Sequence, residues 1–175
     1  LAALGAEVTA VDVSETRMAR VAENLARTKL KAQIVVSDAF DYAQDGFDAV
    51  LLDAPCSATG TIRRHPDLPH AKDGAEFGGL IEQQERLLDH ALTLLKPGGA
   101  LVFCTCSLLP DEGEVQVEDA LARHPDLTVD RDALNRDGVD PDWITDEGGL
   151  RLRPDYWRDL GGMDGFYIAS LTKAG

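Results

Sequence analysis

Short β-rich runs alternate with helix-forming segments along this chain, and this alternation restricts the possible folds more than any other feature. The predicted strands are residues 8–13, 33–36, 47–52, 100–104 and 165–171, and the predicted helices are residues 17–29, 80–95 and 112–123. Ser14 can cap the first helix, and the Lys-Pro-Gly-Gly segment at residues 96–99 ends the second. Strands that alternate with helices indicate an α/β fold with a parallel sheet and right-handed crossovers.

The distribution of apolar, Gly and Pro residues also predicts which strand is buried and which segments are loops. The apolar run FDAVLL, residues 47–52, predicts a strand that is buried on both faces. The helix at residues 80–95 keeps a helical apolar period that only Gln84 interrupts. Residues 57–79 and 137–149 are rich in Gly, Pro and charged residues, so both are expected to be loops.

The composition suits one globular domain and excludes several other classes. The 175 residues are 44% hydrophobic and 27% charged, and no apolar run is long enough to span a bilayer. The N-terminal residues lack the pattern of a secretory signal. The only cysteines are Cys56, Cys104 and Cys106, which form neither a disulfide framework nor a zinc-ligand spacing. We therefore expect a cytoplasmic protein without a bound metal.

The net charge of −14 is unusual for a chain that binds nucleic acid by itself. Neutralisation of phosphates supplies most of the affinity of nucleic-acid-binding proteins, so these proteins are usually basic. Charge alone therefore argues against RNA as a partner. An RNA-binding function needs a basic module elsewhere in the protein.

Acidic residues lie at or just past the ends of two predicted strands, where parallel sheets bind their ligands. Such ligands sit beyond the carboxyl ends of the strands. Asp12 ends the first predicted strand, where it can accept hydrogen bonds from ribose hydroxyls or simply start the helix beside Ser14. Asp38 follows the next strand, where it can meet an adenine amino group or serve as a turn residue.

The next predicted strand runs into the segment DAPCSATG, residues 53–60. Asp53 leaves the strand end, and Pro55 restricts the backbone beside Cys56, so the turn presents a carboxylate and a thiol in a set geometry. A plain strand-to-loop turn with a buried, inert cysteine is the alternative interpretation. The combination of strand end, Asp, Pro and Cys favours a functional site.

The strand at residues 100–104 ends in a second cysteine turn, Thr-Cys-Ser, at residues 105–107. Adjacent parallel strands would bring Cys106 close to Cys56. A cysteine is a good covalent nucleophile once it is deprotonated, and a nearby helix N-terminus, predicted at residues 110–112, favours the thiolate. Cys104 lies inside the strand and is interpreted as a core residue.

Short motifs spread over the chain carry a family resemblance. In order, they are VDVSETR, SDAFD, LLDAPCSATGTIRRHPD, LLKPGG, TCSLLPDE and DGFYIA. They resemble the motifs of the RsmB family, also called Sun or Fmu, which comprises bacterial 16S rRNA cytosine-C5 methyltransferases. The resemblance covers residues 8–171. It implies a Rossmann-like class I methyltransferase sheet, S-adenosylmethionine as the cofactor and RNA, most directly 16S rRNA, as the partner.

The resemblance also implies catalytic roles. Cys106 would be the nucleophile that adds to cytosine C6 and thereby makes C5 reactive towards the methyl donor. Asp53 would hydrogen-bond or protonate the N3 edge of the cytosine. Cys56 would assist in resolving the adduct and releasing the product.

Further roles follow for the cofactor and the RNA. Asp12 would bind the cofactor ribose, Asp38 the adenine side, and Asp53 would border the same cofactor. Arg17 matches an arginine of the family, although a surface helix arginine would look the same. On the loop over the predicted site, two residues could contact RNA or could be held by local salt bridges; they are Arg63 and Arg64.

The sequence departs from the family pattern at its beginning. The first strand of the family's catalytic domain, its Gly-rich turn and an N-terminal RNA-binding domain have no counterpart in residues 1–175. We expect a partial catalytic domain that, by itself, binds S-adenosylmethionine weakly and does not turn over. The missing basic domain would explain the acidic charge. The alternatives are another Rossmann-like methyltransferase, such as an amino-group methylase, and a non-catalytic interaction fragment.

Overall fold

A computed structural model describes residues 1–71 and 74–175 of the chain, which form two compact units. The first unit is Leu1–Gln44, and the second is Asp45–Gly175. Both contain strands and helices, so the predicted α/β class is confirmed. Among the described residues, no helix combines the length and apolarity that a membrane crossing requires.

The first unit is a β-α-β motif. Strands β1 (Thr9–Asp12) and β2 (Gln33–Val36) pair in parallel, and helix α1 (Glu15–Thr28) connects them. Ser14 caps α1 as predicted, because its side chain accepts a hydrogen bond from the Arg17 backbone N–H at 3.3 Å. Met18 is the buried residue of this helix. Asp12 and Asp38 therefore both lie at the carboxyl end of the sheet of this unit.

The second unit contains a five-stranded sheet in the order β3-β4-β7-β5, with β6 also paired to β7. β3 and β4 are parallel, whereas β7 runs antiparallel to β4, β5 and β6. The prediction of an all-parallel sheet is thus wrong for this part. The chain passes from β6 to β7 without a crossover helix, and only a crossover places consecutive strands in parallel. The strand bounds are Phe47–Asp53 (β3), Leu95–Thr105 (β4), Leu127–Val129 (β5), Leu150–Leu152 (β6) and Phe166–Lys173 (β7).

Among the described residues of this unit, the α-helices are α2 (Leu68–Ala71), α3 (Phe77–Leu94) and α4 (Glu114–Arg123). The long helices α3 and α4 supply apolar side chains to the core together with β4 and β7. The largest fully buried side chains of this core are Leu88, Leu101, Phe103, Val117, Tyr167 and Leu171.

Strand β3 is only partly buried, and on one face, which corrects the prediction of burial on both faces from its apolar run. Val50 and Leu52 pack against the core, but Leu51 is 58% exposed. Successive side chains of a strand point to opposite faces, and Val50 and Leu52 share the face that packs against the core, to which α3 contributes. In the described part of the chain, β4 is the only strand that pairs with β3.

Other predicted bounds are corrected as well. Strand β4 begins at Leu95, because the Lys-Pro-Gly-Gly segment that ends the helix is already part of the strand. The described part of the segment 57–79 contains helix α2 and the start of α3, so it is not simply a loop, and residues 72 and 73 of this prediction lie outside the described residues. The two short strands β5 and β6 were not predicted. The helix N-terminus predicted at residues 110–112 is displaced, because Pro110–Glu112 forms a single 3₁₀ turn and α4 begins only at Glu114.

Candidate active site

Two turns that contain cysteine lie side by side at the ends of β3 and β4. The register of these strands places Asp53 opposite Cys104, and the Ala54 N–H donates to the Cys104 carbonyl at 3.0 Å. Beyond this pair, β3 and β4 continue into the two cysteine turns. The sulfur atoms of Cys56 and Cys106 lie 3.4 Å apart, and both side chains are half-buried. Parallel strand ends thus bring the two thiols together, as the strand order predicted.

Backbone contacts around Gly60 fix the first turn to the second. The Gly60 N–H donates to the Cys106 carbonyl at 2.9 Å, and the Gly60 carbonyl accepts from the Gly165 N–H at 2.8 Å. A Cβ atom at residue 60 would lie 2.0 Å from the Gly165 oxygen and 2.9 Å from the Cys106 oxygen. Only glycine fits there, because both obstacles are backbone atoms.

A polar cluster, which is fully buried except for the half-buried Thr59, adjoins the two cysteine turns. It consists of Ser57, Thr59, Gln84, Ser107 and Glu112, all linked by hydrogen bonds. Within the cluster, Glu112 accepts hydrogen bonds from the backbone and the hydroxyl of Ser57, and Ser57 Oγ lies 3.2 Å from Ser107 Oγ. Sequence reasoning missed this cluster. Its one signal was Gln84, the polar residue in the apolar period of a helix, which the structure buries completely.

The two half-buried thiols differ in acidity. The hydrogen bond from Cys56 lowers the pKa of the Cys106 thiol to about 7, against the effects of burial and of the Asp53 charge. The same hydrogen bond, together with burial, raises the pKa of Cys56 far above its usual range. The pair therefore holds one thiol and one thiolate near neutral pH, with the charge on Cys106.

Cys104 is a core residue, as predicted, and is only 7% exposed. Burial, followed by the nearby Asp53 charge, raises the pKa of the Cys104 thiol to about 12. Its sulfur lies 3.9 Å from Asp53 Oδ1. Asp53 itself is exposed at the end of β3. An exposed carboxylate and a thiolate thus lie at the same end of the sheet in this unit.

In the first unit, Asp12 is engaged by a specific partner. Its Oδ1 accepts hydrogen bonds from Arg17 Nε at 3.1 Å, from Arg17 Nη2 at 2.7 Å and from the Ser14 N–H at 2.7 Å. The Arg17 guanidinium lowers the pKa of Asp12. Asp38 accepts from the Phe40 N–H at 2.9 Å and so starts a short 3₁₀ turn. Both carboxylates therefore have hydrogen-bond partners within the chain. Their contacts with a cofactor stay a prediction.

The two arginines proposed for RNA share one local partner. Arg64 Nε lies 2.6 Å from Asp164 Oδ2, and Arg63 Nη2 lies 3.4 Å from Asp164 Oδ1. The local salt bridges considered as the alternative are thus present, while contact with RNA stays a prediction. Within residues 1–71 and 74–175, no group of three or more His, Cys, Asp or Glu side chains is placed to hold a metal ion.

Comparison with known proteins identifies the family. The family model described as 16S rRNA methyltransferase RsmB/F matches residues 1–172 of this chain. The chain belongs to the RsmB/F family. A ribosomal RNA small subunit methyltransferase B from Vibrio cholerae is 42% identical over 172 residues, which are 95% of this chain. The chain spans only 36% of the length of that RsmB/F relative.

Solved structures agree with this assignment. A methyltransferase homologue from Pyrococcus horikoshii superposes with a TM-score of 0.76 and 30% identity, covering 95% of this chain and 53% of the other. NSun6 from the same organism, solved with SFG, has a TM-score of 0.76 and 26% identity, covering 97% of this chain and 42% of the other. The Rossmann-like methyltransferase fold predicted for the RsmB/F chain is therefore confirmed.

Proposed function

We propose that the protein containing this chain is an S-adenosylmethionine-dependent rRNA methyltransferase that modifies C5 of cytosine, and that this chain forms part of its catalytic domain. The observation that carries the proposal is the 3.4 Å contact between the Cys56 and Cys106 sulfur atoms. One thiol that keeps its proton beside one thiolate suits a reaction that needs both a nucleophile and a proton carrier. The name of the Vibrio cholerae relative supports rRNA as the substrate.

The first step is the addition of Cys106 to the cytosine ring. Cytosine C5 is a poor nucleophile, so the Cys106 thiolate forms a bond to C6 and the electron pair of the C5–C6 double bond moves into the ring. In its protonated form, the Asp53 carboxyl group, exposed at the end of β3, donates a hydrogen bond or its proton to N3, where the charge develops, and it recovers any transferred proton when the C5–C6 double bond forms again. The ring then carries an enamine carbon at C5. A pKa of about 7 keeps a large fraction of Cys106 ionised at neutral pH.

The second step transfers the methyl group to C5. S-Adenosylmethionine, when bound, would supply a methyl group on a positively charged sulfur, and this sulfur would depart with the electron pair of the carbon–sulfur bond as C5 takes the methyl group. C5 then loses its proton, the C5–C6 double bond forms again, and the Cys106 thiolate leaves. Within the adduct the Cys106 sulfur is an uncharged thioether and no longer accepts the Cys56 proton. Cys56 can then release its own proton to solvent and, as a thiolate, accept the proton from C5, so that one turnover releases one proton overall.

The first unit offers a fitting site for the adenosine part of the cofactor. All three hydrogen bonds shown for the Asp12 carboxylate go to Oδ1, which leaves Oδ2 able to accept from ribose hydroxyls. Arg17 keeps this carboxylate ionised by lowering its pKa. Asp38, which follows β2, is exposed and adjacent to the same sheet end, where it can accept from an adenine amino group.

Covalent trapping tests the proposal. RNA that contains 5-fluorocytosine cannot lose a proton from C5, so we expect the full-length enzyme and cofactor to form a lasting adduct with it. Cys106→Ser should abolish the adduct, and Cys104→Ala is the matched control that should retain it. An intact enzyme that forms no adduct would favour an amino-group methylase if it still methylates RNA, or a non-catalytic protein if it does not.

A further inference from the structure

Glu112 is a fully buried carboxylate that the proposed reaction does not use. Its Oε1 and Oε2 accept from the Ser57 N–H at 2.9 and 3.2 Å, and Oε2 also accepts from the Ser57 hydroxyl. A carboxylate without access to water is costly unless donors surround it. Here those donors belong mainly to the residue that follows Cys56.

The Gln84 side chain also contacts the turn that carries Cys56. Gln84 Nε2 donates to Glu112 Oε1 at 3.0 Å and to the Pro55 carbonyl at 2.8 Å. Pro55 and Ser57 are the two neighbours of Cys56. The pair formed by Glu112 and Gln84 therefore holds the backbone on both sides of this cysteine.

The same glutamate is connected to both neighbours of Cys106. Thr105 Oγ1 donates to the backbone carbonyl of Glu112 at 2.8 Å. Ser107 Oγ lies 3.2 Å from Ser57 Oγ, and the Ser57 hydroxyl in turn donates to the Glu112 carboxylate. The Leu109 N–H donates to Ser107 Oγ at 3.0 Å. One buried residue thus links the flanking residues of both thiols, which is a direct structural means of setting the distance between them.

We infer that Glu112, assisted by Gln84, is a positioning residue that holds the Cys56 turn against Cys106 so that their sulfur atoms stay in contact. The inference rests on the proposed function of the two thiols. The groups around Glu112 donate hydrogen bonds, and an ionised carboxylate, which only accepts, matches such surroundings. A neutral amide at this position would place donor groups where an acceptor is needed.

The direction in which the pKa of Cys106 moves when Glu112 is replaced distinguishes a positioning role of Glu112 from a purely electrostatic one. The ionisable groups that shift the pKa of Cys106 are Cys56, Asp53 and Glu112. The negative charge of Glu112 by itself raises the pKa of Cys106, so loss of the charge alone would lower that pKa. Loss of the Cys56 contact has the opposite effect, because the Cys56 hydrogen bond is the main cause of the lowered pKa.

The test is the pH profile of Cys106 alkylation by iodoacetamide in the full-length protein, read at that peptide by mass spectrometry. The native midpoint is expected near 7. In Glu112→Gln we expect a midpoint near the ordinary thiol pKa of about 8.5, which lowers the thiolate fraction at pH 7 by about fifteen-fold. Gln84→Met should shift the midpoint in the same direction, and it keeps the inference testable if Glu112→Gln does not fold.

Two controls complete the design. Gln116→Met also removes buried hydrogen bonds, to the Ile81 and Asp111 carbonyls, but it touches neither thiol turn and should leave the midpoint near 7. In a Cys56→Ala background, Glu112→Gln should produce no further rise, because its effect passes through Cys56. A fall or no change of the midpoint in both Glu112→Gln and Gln84→Met would overturn the inference.

The alkylation needs neither RNA nor cofactor, so its outcome is independent of the trapping experiment. If the midpoint shifts as expected but 5-fluorocytosine RNA is not trapped, the proposed function fails while the positioning role of Glu112 stands. If trapping succeeds but the midpoint does not rise, only the positioning role fails.

Discussion

The sulfur atoms of Cys56 and Cys106 lie 3.4 Å apart, which is much longer than the roughly 2.05 Å of a disulfide bond. The separation suits a thiol that donates to a thiolate. The two cysteines therefore act as one acid–base unit, and the behaviour of each depends on the presence of the other.

The first prediction concerns the acidity of this unit. Below a pH of about 7 Cys106 is protonated, and above it the thiolate predominates, so its alkylation should rise through that pH. Cys56→Ala removes the donor and should move the midpoint upward, towards the ordinary value of about 8.5. Peptide-resolved labelling over pH 5–10 measures both, since thiol labelling requires the thiolate. A profile that Cys56→Ala leaves unchanged would contradict the thiol–thiolate contact.

The second prediction separates the roles of the two cysteines. If Cys56 accepts the C5 proton, Cys56→Ala should still form the covalent complex with ordinary cytosine RNA but should release it slowly. We expect a complex that survives denaturing electrophoresis in Cys56→Ala and not in Cys56→Ala/Cys106→Ala. Normal multiple turnover by Cys56→Ala would rule out the role of Cys56 in resolution.

The third prediction concerns the pair formed by Arg17 and Asp12 in the first unit. Arg17 contacts Asp12 Oδ1 through two nitrogen atoms, so Arg17→Ala should leave the carboxylate less well oriented for a ribose. We expect the dissociation constant for S-adenosylhomocysteine to rise by about ten-fold, the loss typical of one well-oriented polar contact. Arg20→Ala, on the exposed surface of the same helix, is the matched control, and calorimetry of the full-length protein provides the measurement. Equal affinities for both variants would show that Arg17 is only a surface residue.

The fourth prediction concerns stability. Gly60→Ala places a methyl group 2.0 Å from the Gly165 oxygen, so the backbone must move and the free energy of unfolding should fall by about 3 kcal/mol. Gly79→Ala meets no atom within 4 Å and lies inside α3, so it should raise that free energy by about 0.5–1 kcal/mol. Urea unfolding of both variants gives the comparison. A Gly60→Ala protein as stable as the native one would show that the two turns are not tightly joined.

The two cysteine turns could be predicted from the sequence because their pattern is local. An apolar run followed by Asp-Ala-Pro-Cys, and another followed by Thr-Cys-Ser, indicate two strand ends, and the carboxyl ends of parallel strands lie at one edge. Likewise, the helix at residues 17–29 could be predicted because Ser14 and the apolar period agree.

The supporting cluster could not be predicted, because it depends on contacts between distant parts of the chain. Glu112 is 55 positions from Ser57 and 28 from Gln84, and no local pattern connects these residues. Strands β5 and β6 have three residues each, too few to show a period. The antiparallel direction of β7 could not be predicted either, because the residue pattern of a strand does not distinguish parallel from antiparallel pairing.

The pairing of β3 with β4 has a chemical consequence as well as a structural one. Neighbouring residues in a strand are about 3.3 Å apart and face opposite sides of the sheet. A slip of the β3–β4 register by one residue would therefore displace one sulfur atom by about as much as the present distance between the two sulfur atoms. It would also turn the Asp53 side chain to the other face of the sheet. The amide–carbonyl ladder of these strands thus sets the alignment of the reacting groups. Substitutions at Val50 or Leu52, which pack against the core beneath that ladder, are then subject to selection through reaction rate as much as through folding.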